Sequence, residues 1–201
     1  MPPAPMLLRP GPIPTGEGWA FELKYDGFRA IVSTEQGLDV RSRRGWRMTD
    51  RLPELEALPR GVVLDGELVA FNQAGAPHWP LVCDRVLQGD RSVCVTFVAF
   101  DVLRVDGHDL TRSTWEKRRA VLDELQVPGP NAAVADVFDD GPILFAAVCE
   151  HGLEGIVAKR RNGLYHSRRR TWVKVKNPDY WRRDGERAAM ERSRERRRIA
   201  A

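Results

Sequence analysis

The stretch Glu22–Arg29, with the sequence ELKYDGFR, places one lysine between two carboxylates and just ahead of a glycine and an arginine. Apolar residues flank the lysine at 19–23 and 30–32, a composition typical of β-strands. We therefore expect Lys24 at the end of a strand, where the chain turns at Gly27. A lysine held beside acids and other cations is a candidate covalent nucleophile. On this stretch alone, an exposed lysine on a half-buried hairpin is the alternative.

The composition indicates a globular protein with one large domain or two small ones. The 201 residues are 42% hydrophobic and 30% charged, which suffices for a sizeable core. No apolar run approaches the roughly 20 residues that cross a bilayer, and the N-terminus lacks the features of a signal peptide. Three cysteines without metal-ligand spacing indicate neither a disulfide framework nor a zinc site. We expect a cytoplasmic protein that has no membrane partner.

The net charge of +4 hides a strong asymmetry along the chain. Residues 159–176 contain eight lysines and arginines and no acid, and residues 182–201 contain eight arginines against four acids. A basic C-terminal part on an acidic body suggests a polyanionic partner, either nucleic acid or nucleotide phosphate. For the last twenty residues, a solvated basic tail is an equally acceptable interpretation.

The pattern of apolar and turn-forming residues divides the chain into three parts. Residues 1–18, rich in proline and glycine, are predicted to be an extended lead-in, residues 19–176 a folded domain, and residues 177–201 an arginine-rich tail that is helical or disordered. Within the domain we predict a β-hairpin over 20–41 with its turn near 36–37, helices over 52–58, 81–87, 111–125 and 141–152, and strands over 62–71, 93–103, 134–138, 154–159 and 172–176.

Two of these predicted strands carry charges that require an explanation. The strand over 62–71 is interrupted by Asp65-Gly66-Glu67, and charges inside an apolar run are costly unless they are paired or in use. A solvated hairpin turn is the alternative for these three residues. On the last strand, strict alternation places Lys174 and Lys176 on one face.

The ordered set of motifs resembles the adenylation, or nucleotidyltransferase, domain of ATP-dependent DNA ligases, and is closest to the bacterial end-joining type. Lys24–Arg29 is similar to the ligase motif KxDGxR, which alone is a weak signal. The set becomes specific because later motifs follow in the family's order over nearly all of the chain before the tail: Ser42–Gly45, Asp65–Glu67, Phe97–Asp101, Glu154–Lys159 and Trp172–Lys176.

The resemblance implies a fold and a reaction. The fold is the α+β, ATP-grasp-like catalytic domain of ligases and capping enzymes, in which antiparallel sheets are flanked by helices around the nucleotide. The reaction has three steps: adenylation of the lysine by ATP with Mg²⁺ (or Mn²⁺), transfer of AMP to the 5′-phosphate of nicked or broken double-stranded DNA, and attack by the 3′-hydroxyl to seal the break in DNA repair.

The resemblance also implies roles for individual side chains around the nucleotide. Those implied for the base and sugar are Glu22 at the adenine edge, Phe100 stacked on adenine, Glu67 at the ribose hydroxyl, and Arg29 and Arg43 at the ribose and phosphate. Those implied for the chemistry are Lys24 as nucleophile, Lys174 and Lys176 at the α-phosphate, and Glu154 as ligand of the divalent metal. Asp26 and Asp65 are implied to orient their neighbours.

Elementary chemistry agrees with these roles. Lys24 must lose a proton before it attacks a phosphate, and the charges of Lys174 and Lys176 would favour that loss and stabilise the developing phosphate charge. A carboxylate such as that of Glu154 is a hard oxygen ligand suited to Mg²⁺. For Phe100, an ordinary core aromatic is the alternative, because a π-face also packs well against apolar residues.

Two departures from the family pattern leave alternatives open. The loop Tyr165–Trp172 is shorter than the family's Tyr-x-Pro-Gly-x-Arg loop, so how its arginines would meet the nucleotide or the nick is open. Only 25 residues follow Lys176, too few for the OB-fold domain of larger ligases, which a separate OB-fold or end-joining protein could supply. The alternatives are a nucleotide- and DNA-binding module, a partial enzyme that adenylates without sealing, and an RNA ligase or capping-type nucleotidyltransferase.

The basic tail generates a first prediction. Deleting residues 182–201 should weaken DNA binding and reduce its dependence on salt concentration, because fewer counterions are then released from the phosphates. Adenylation of Lys24 should be largely unchanged. Binding titrations at several salt concentrations measure the slope, and an unchanged slope would contradict a DNA-binding role for the tail.

Overall fold

The structure, a computed structural model, describes residues 3–181 except 128, 130 and 168. The strands are β1 Leu7–Pro10, β2 Trp19–Leu23, β3 Phe28–Ser33, β4 Asp39–Ser42, β5 Val62–Val69, β6 Thr96–Val105, β7 His108–Asp109, β8 Ala132–Val134, β9 Gly155–Arg160 and β10 Arg170–Lys176. The helices are α1 Trp79–Cys83, α2 Trp115–Glu124 and α3 Gly141–Glu150. None of the helices among these residues has the length and apolar character to span a membrane.

The strands form two sheets. The larger sheet has six strands in the order β4-β3-β5-β6-β7, with β8 paired to β6, and the smaller has four in the order β1-β10-β9-β2. The β1–β10 and β6–β8 pairs are parallel, and all other pairs of these strands are antiparallel. The α2 helix packs on β6, while α3 packs on β9 and β2. This is the α+β arrangement that the sequence predicts, with two parallel pairs that it did not.

The predicted hairpin over 20–41 is only half correct. β3 and β4 form a hairpin around Gln36-Gly37, but β2 belongs to the other sheet and pairs with β9. The physical reason is packing: Trp19 and Phe21 of β2 lie in an apolar cluster with α3 and β9, away from β3. Residues 24–27 therefore cross from the smaller sheet to the larger one.

An apolar cluster holds the two sheets together. Ile31, Val63 and Leu103 of the larger sheet pack in it with Val157 and Trp172 of the smaller sheet. All five side chains are at least nine-tenths buried. The main core lies within the larger sheet and the elements that cover it. The contact between sheets fixes the walls of the cleft that opens beside residues 24–27.

Several local predictions need correction. Asp65-Gly66-Glu67 is no solvated turn but lies inside β5, where a Cβ on Gly66 would be 2.4 Å from the Phe97 ring. The predicted helix over 52–58 forms as two 3-10 segments, Thr49–Arg51 and Pro53–Ala57. The predicted helix over 81–87 is α1 continued by a π-helical turn, Asp84–Gln88.

Residues on both sides of the predicted domain, 19–176, also pack against it. Within the lead-in, β1 pairs with β10 and so becomes an edge strand of the smaller sheet. After residue 176 the chain stays packed, since Asn177 and Tyr180 are 1% and 8% exposed. Both have polar partners in the domain, which a composition-based boundary does not take into account. The predicted tail beyond residue 181 lies outside the described residues.

A buried ion pair joins α2 to the larger sheet. Arg118 donates from two nitrogens to the two carboxylate oxygens of Asp101, at 2.7 and 2.9 Å, and neither side chain is more than 1% exposed. Burial raises the pKa of Asp101, and the hydrogen bonds and charge of Arg118 oppose that rise. Breaking such a pair leaves the remaining charge desolvated without compensation.

We therefore expect Asp101→Asn to lower the free energy of unfolding by about 3–5 kcal/mol, because Arg118 would remain buried without its counter-charge. Urea denaturation measures the loss. The control is Glu116→Gln, since Glu116 is 68% exposed and 3.9 Å from Arg161. An exposed pair contributes about 0–1 kcal/mol. Equal effects of the two substitutions would contradict the assignment of Asp101–Arg118 as a structural ion pair.

Candidate active site

Lys24 lies directly after β2, beside Glu154 and Lys176. Its backbone N–H donates to the carbonyl of Gly155 at 2.9 Å, and its Nζ is 2.7 Å from Oε2 of Glu154. Lys176 Nζ is 3.2 Å from Oε1 of the same carboxylate. Glu154 is 3% exposed, whereas Lys24 is 17% exposed and so remains accessible. The 2.7 Å contact to Oε2 is an ion pair.

A glycine makes this close arrangement of strands possible. Gly155 follows Glu154 with φ of 153°, and a Cβ at this position would lie 2.1 Å from the carbonyl oxygen of Val175. Any other residue would push β10, and with it Lys176, away from β9. The local sequence Glu-Gly therefore brings a carboxylate and a lysine from two strands to one point.

A cleft of about 890 Å³ opens over these side chains. Its volume is within the range of ligand pockets, roughly 300–1,000 Å³. The predicted site residues that line it are Lys24, Asp26, Arg29, Arg43, Glu67, Glu154, Lys174 and Lys176. Arg43 is exposed, while the others are buried or half-buried. The structure thus brings most of the predicted site together in one cleft.

Glu22 and Phe100 lie next to this cleft, in a narrower pocket that also contains Lys24, Arg29 and Glu67. Glu22 is paired with a residue that the sequence analysis did not single out. Lys159 Nζ is 2.7 and 2.6 Å from the two Glu22 oxygens and donates to the carbonyl of Phe100 at 3.0 Å. Burial raises the pKa of Glu22 and lowers the pKa of Lys159, and the attraction between the two charges opposes both effects. A lysine inside the apolar strand β9 was the available signal.

Arg29 is held by Asp65 and faces the aromatic pocket. Its guanidinium donates to the two oxygens of Asp65 at 2.5 and 2.6 Å, and its Cζ lies 4.5 Å from the centroid of the Phe100 ring. Tyr165 also donates to Asp65, at 2.6 Å. Phe100 is half-buried and packs edge-on against Trp172. Asp65 thus accepts hydrogen bonds from both Arg29 and Tyr165, and the sequence analysis did not single out Tyr165.

Glu67 lines the cleft, and its surroundings shift the pKa of its carboxyl group upward. Burial raises its pKa to about 7, while the charges of Arg29 and Lys24 lower it and those of Glu154 and Asp65 raise it. Among the described residues there is no group of three or more His, Cys, Asp or Glu that could hold a metal ion. Mg²⁺ is usually bound through one or two carboxylates together with substrate phosphates. The Glu154 carboxylate, which lines the cleft, is a donor of that kind.

Comparison with known proteins decides the family. A family model described as "ATP dependent DNA ligase domain" matches residues 14–176. The chain belongs to the ATP-dependent DNA ligase domain family. The family predicted from the motifs is thereby confirmed.

Individual relatives agree with this assignment. The multifunctional non-homologous end joining protein LigD of Mycolicibacterium smegmatis is 37% identical over 183 residues, which is 86% of this chain and 24% of LigD. The SPbeta prophage-derived DNA ligase-like protein LigB of Bacillus subtilis is 34% identical, covering 88% of this chain and 68% of LigB. The chain thus spans about a quarter of the length of the LigD relative.

Solved structures confirm the predicted fold. The ligase domain of M. tuberculosis LigD has a TM-score of 0.76 and 35% identity, covering 87% of this chain and 59% of that one. A mycobacterial DNA ligase D complexed with ATP and MES also has a TM-score of 0.76, with 36% identity and coverage of 87% and 60%. The ligase domain fold of the family therefore extends over the sheets and the cleft described above.

The raised pKa of Glu67 predicts a pH-dependent stability. Protonated Glu67 is favoured in the folded state, so the stability it contributes is fully present below pH 4.5 and is lost as the pH rises through about 7. Relative to wild type, Glu67→Gln should gain roughly 1–3 kcal/mol of unfolding free energy between pH 4 and pH 8, allowing for solvent screening of a half-buried group. Urea denaturation at both pH values measures the gain. An equal difference at both would show that Glu67 titrates normally.

Proposed function

We propose that this chain catalyses the nucleotidyl transfer of an ATP-dependent DNA ligase, with Lys24 as the residue that carries AMP. The observation that carries the proposal is the placement of an accessible lysine beside a buried carboxylate and a second lysine, inside a nucleotide-sized cleft. Membership of the ligase domain family supports it, as does the similarity to a ligase structure that was solved with ATP.

In the first step, the neutral amine of Lys24 attacks the α-phosphorus of ATP. An Nζ–phosphorus bond forms, the bond between the α-phosphorus and the bridging oxygen breaks, and pyrophosphate leaves with that electron pair. The Glu154 carboxylate, 2.7 Å from Nζ, is positioned to take the proton that the lysine loses. Lys176 and Lys174, which line the same cleft, stabilise the charge that develops on the phosphate oxygens.

The narrow pocket would hold the nucleoside. Glu22 accepts a hydrogen bond from the exocyclic amine of adenine, and the half-buried Phe100 ring offers a surface for the base. Glu67 bonds the ribose hydroxyl. Two nitrogens of the Arg29 guanidinium already donate to Asp65, so Arg29 would contact the nucleotide through its other N–H groups. Arg43 is exposed and is available for phosphate. Mg²⁺ held by Glu154 would neutralise phosphate charge and orient the leaving pyrophosphate.

In the later steps, DNA is the substrate. AMP passes from Lys24 to a DNA 5′-phosphate, and a 3′-hydroxyl then displaces AMP and closes the break. Exposed Arg43, Arg44 and Arg170 line the cleft and provide positive charge for a phosphate backbone. The LigD relatives are non-homologous end joining proteins, which favours broken double-stranded DNA as the substrate and DNA repair as the role.

The proposal predicts covalent labelling at one residue. Wild-type protein incubated with ATP labelled at the α-phosphate and Mg²⁺ should retain acid-labile AMP through denaturing electrophoresis, and mass spectrometry should locate it on Lys24. Lys24→Ala should abolish the label, and Lys174→Ala or Lys176→Ala should slow labelling by about 10²–10³-fold, the cost of losing one stabilising group. Lys117→Ala is the matched control, because Lys117 is exposed on α2 and remote from the cleft.

The outcomes separate the candidate activities. Labelling followed by sealing of a nicked duplex supports the whole reaction. Labelling without sealing identifies a partial enzyme, and DNA binding without labelling of the intact protein would refute the nucleotidyltransferase assignment. Stronger labelling with GTP than with ATP would point instead to a capping-type enzyme.

A further inference from the structure

The chain that follows β10 returns to the neighbourhood of Lys24. Residues 177–180 make this return, and we call them the return segment. The backbone N–H of Asn177 donates to the carbonyl of Glu154 at 2.9 Å, and its side-chain amide donates to the carbonyl of Leu153 at 3.0 Å. Asn177 is 1% exposed. The segment therefore holds the backbone of Glu154 in place, and with it the position from which the carboxylate extends.

The same segment reaches Asp26 with a second hydrogen bond. The hydroxyl of Tyr180 donates to Oδ2 of Asp26 at 2.6 Å, across 154 residues of sequence. Asp26 is 6% exposed and Tyr180 is 8% exposed. A buried carboxylate is costly unless it accepts hydrogen bonds, so this contact is a strong constraint on the position of Asp26.

Asp26 in turn controls the short connection that contains Lys24. Lys24 is tied at its backbone to Gly155, and Gly27 is pressed against β5, where a Cβ would lie 2.1 Å from the carbonyl oxygen of Leu68. Asp26 lies between these two fixed points. With Tyr180 attached to Asp26, the connection is held at its start, middle and end.

We propose that Tyr180 is a positioning residue that acts through Asp26 to aim Lys24 at the α-phosphate. The proposal rests on the proposed function of Lys24 as the nucleophile. Tyr180 itself takes no part in bond making. An attacking atom must be held close to a near-attack geometry, and a displacement of about 1 Å can cost 10²-fold in rate. Loss of one of three supports should therefore slow the attack without changing how ATP is bound.

The test compares two variants that each lose a buried hydroxyl. Tyr180→Phe keeps the ring and should slow single-turnover labelling of Lys24 at saturating ATP about tenfold, while the ATP concentration for half-maximal rate changes less than about twofold. Thr34→Val removes a hydroxyl that bonds the carbonyl of Pro59 at 2.6 Å and the N–H of Val62 at 3.1 Å, beyond the far end of β3. It should lower thermal stability to a similar extent and leave the labelling rate unchanged.

A double-mutant cycle and a hydrogen-exchange measurement complete the test. In an Asp26→Ala background, which removes the acceptor, Tyr180→Phe should cause no further slowing, since both substitutions break the same contact. Amide hydrogen exchange of a peptide that covers residues 24–27 should rise in Tyr180→Phe and not in Thr34→Val. Unchanged exchange and labelling in Tyr180→Phe, or effects that multiply in the cycle, would overturn the proposal. Raised exchange in a protein that never labels supports the positioning contact and contradicts only the proposed function.

Discussion

The Glu154 carboxylate, held between Lys24 and Lys176, is the contact on which the site depends. The two ion pairs join the end of β2, the start of β9 and the end of β10, and β9 lies between the other two strands in the smaller sheet. A carboxylate this deeply buried requires a counter-charge, and the lysines provide it. A nucleotide phosphate carries the same sign of charge as Glu154. A phosphate in the cleft would therefore be attracted to the same two lysines.

Buried ion pairs recur through both sheets, and they differ in purpose. Apolar residues of similar volume often stabilise a fold as well as a buried pair does, so burial of charge is weak evidence for stability. The Asp101–Arg118 pair lies under α2 and anchors that helix to β6. Glu22, Lys159 and Arg29, the last held by Asp65, line the narrow pocket instead. Burying these charges costs desolvation free energy. That cost is consistent with a pocket that holds polar groups in a fixed orientation among apolar residues.

The sequence predicted the family, the fold class and the position of Lys24 after a strand, because each depends on local pattern or on motif order. It did not predict the partner of β2. Periodicity shows which face of a strand is buried, but strand pairing is non-local, and Glu22 bonds a residue 137 positions away. The burial of Asn177 and Tyr180 was missed for the same reason. The residues around them are polar, so the sequence alone predicts a tail. Only the structure shows that Leu153 and Asp26 are their hydrogen-bond partners.

The connection of four residues between β2 and β3 gives Lys24 a position that suits its proposed role as the nucleophile. The chain crosses between the sheets twice among the described elements: once through residues 24–27, and once through the longer stretch between β8 and β9 that contains α3. Glu154, Lys174 and Lys176 come with the smaller sheet, whereas Glu67 and Phe100 come from the larger one. A nucleotide in the cleft would contact both groups, so its binding energy would also stabilise the contact between the sheets. A nucleophile on the short connection through residues 24–27 is fixed relative to both sheets. It would therefore stay aligned with a substrate that contacts each sheet separately.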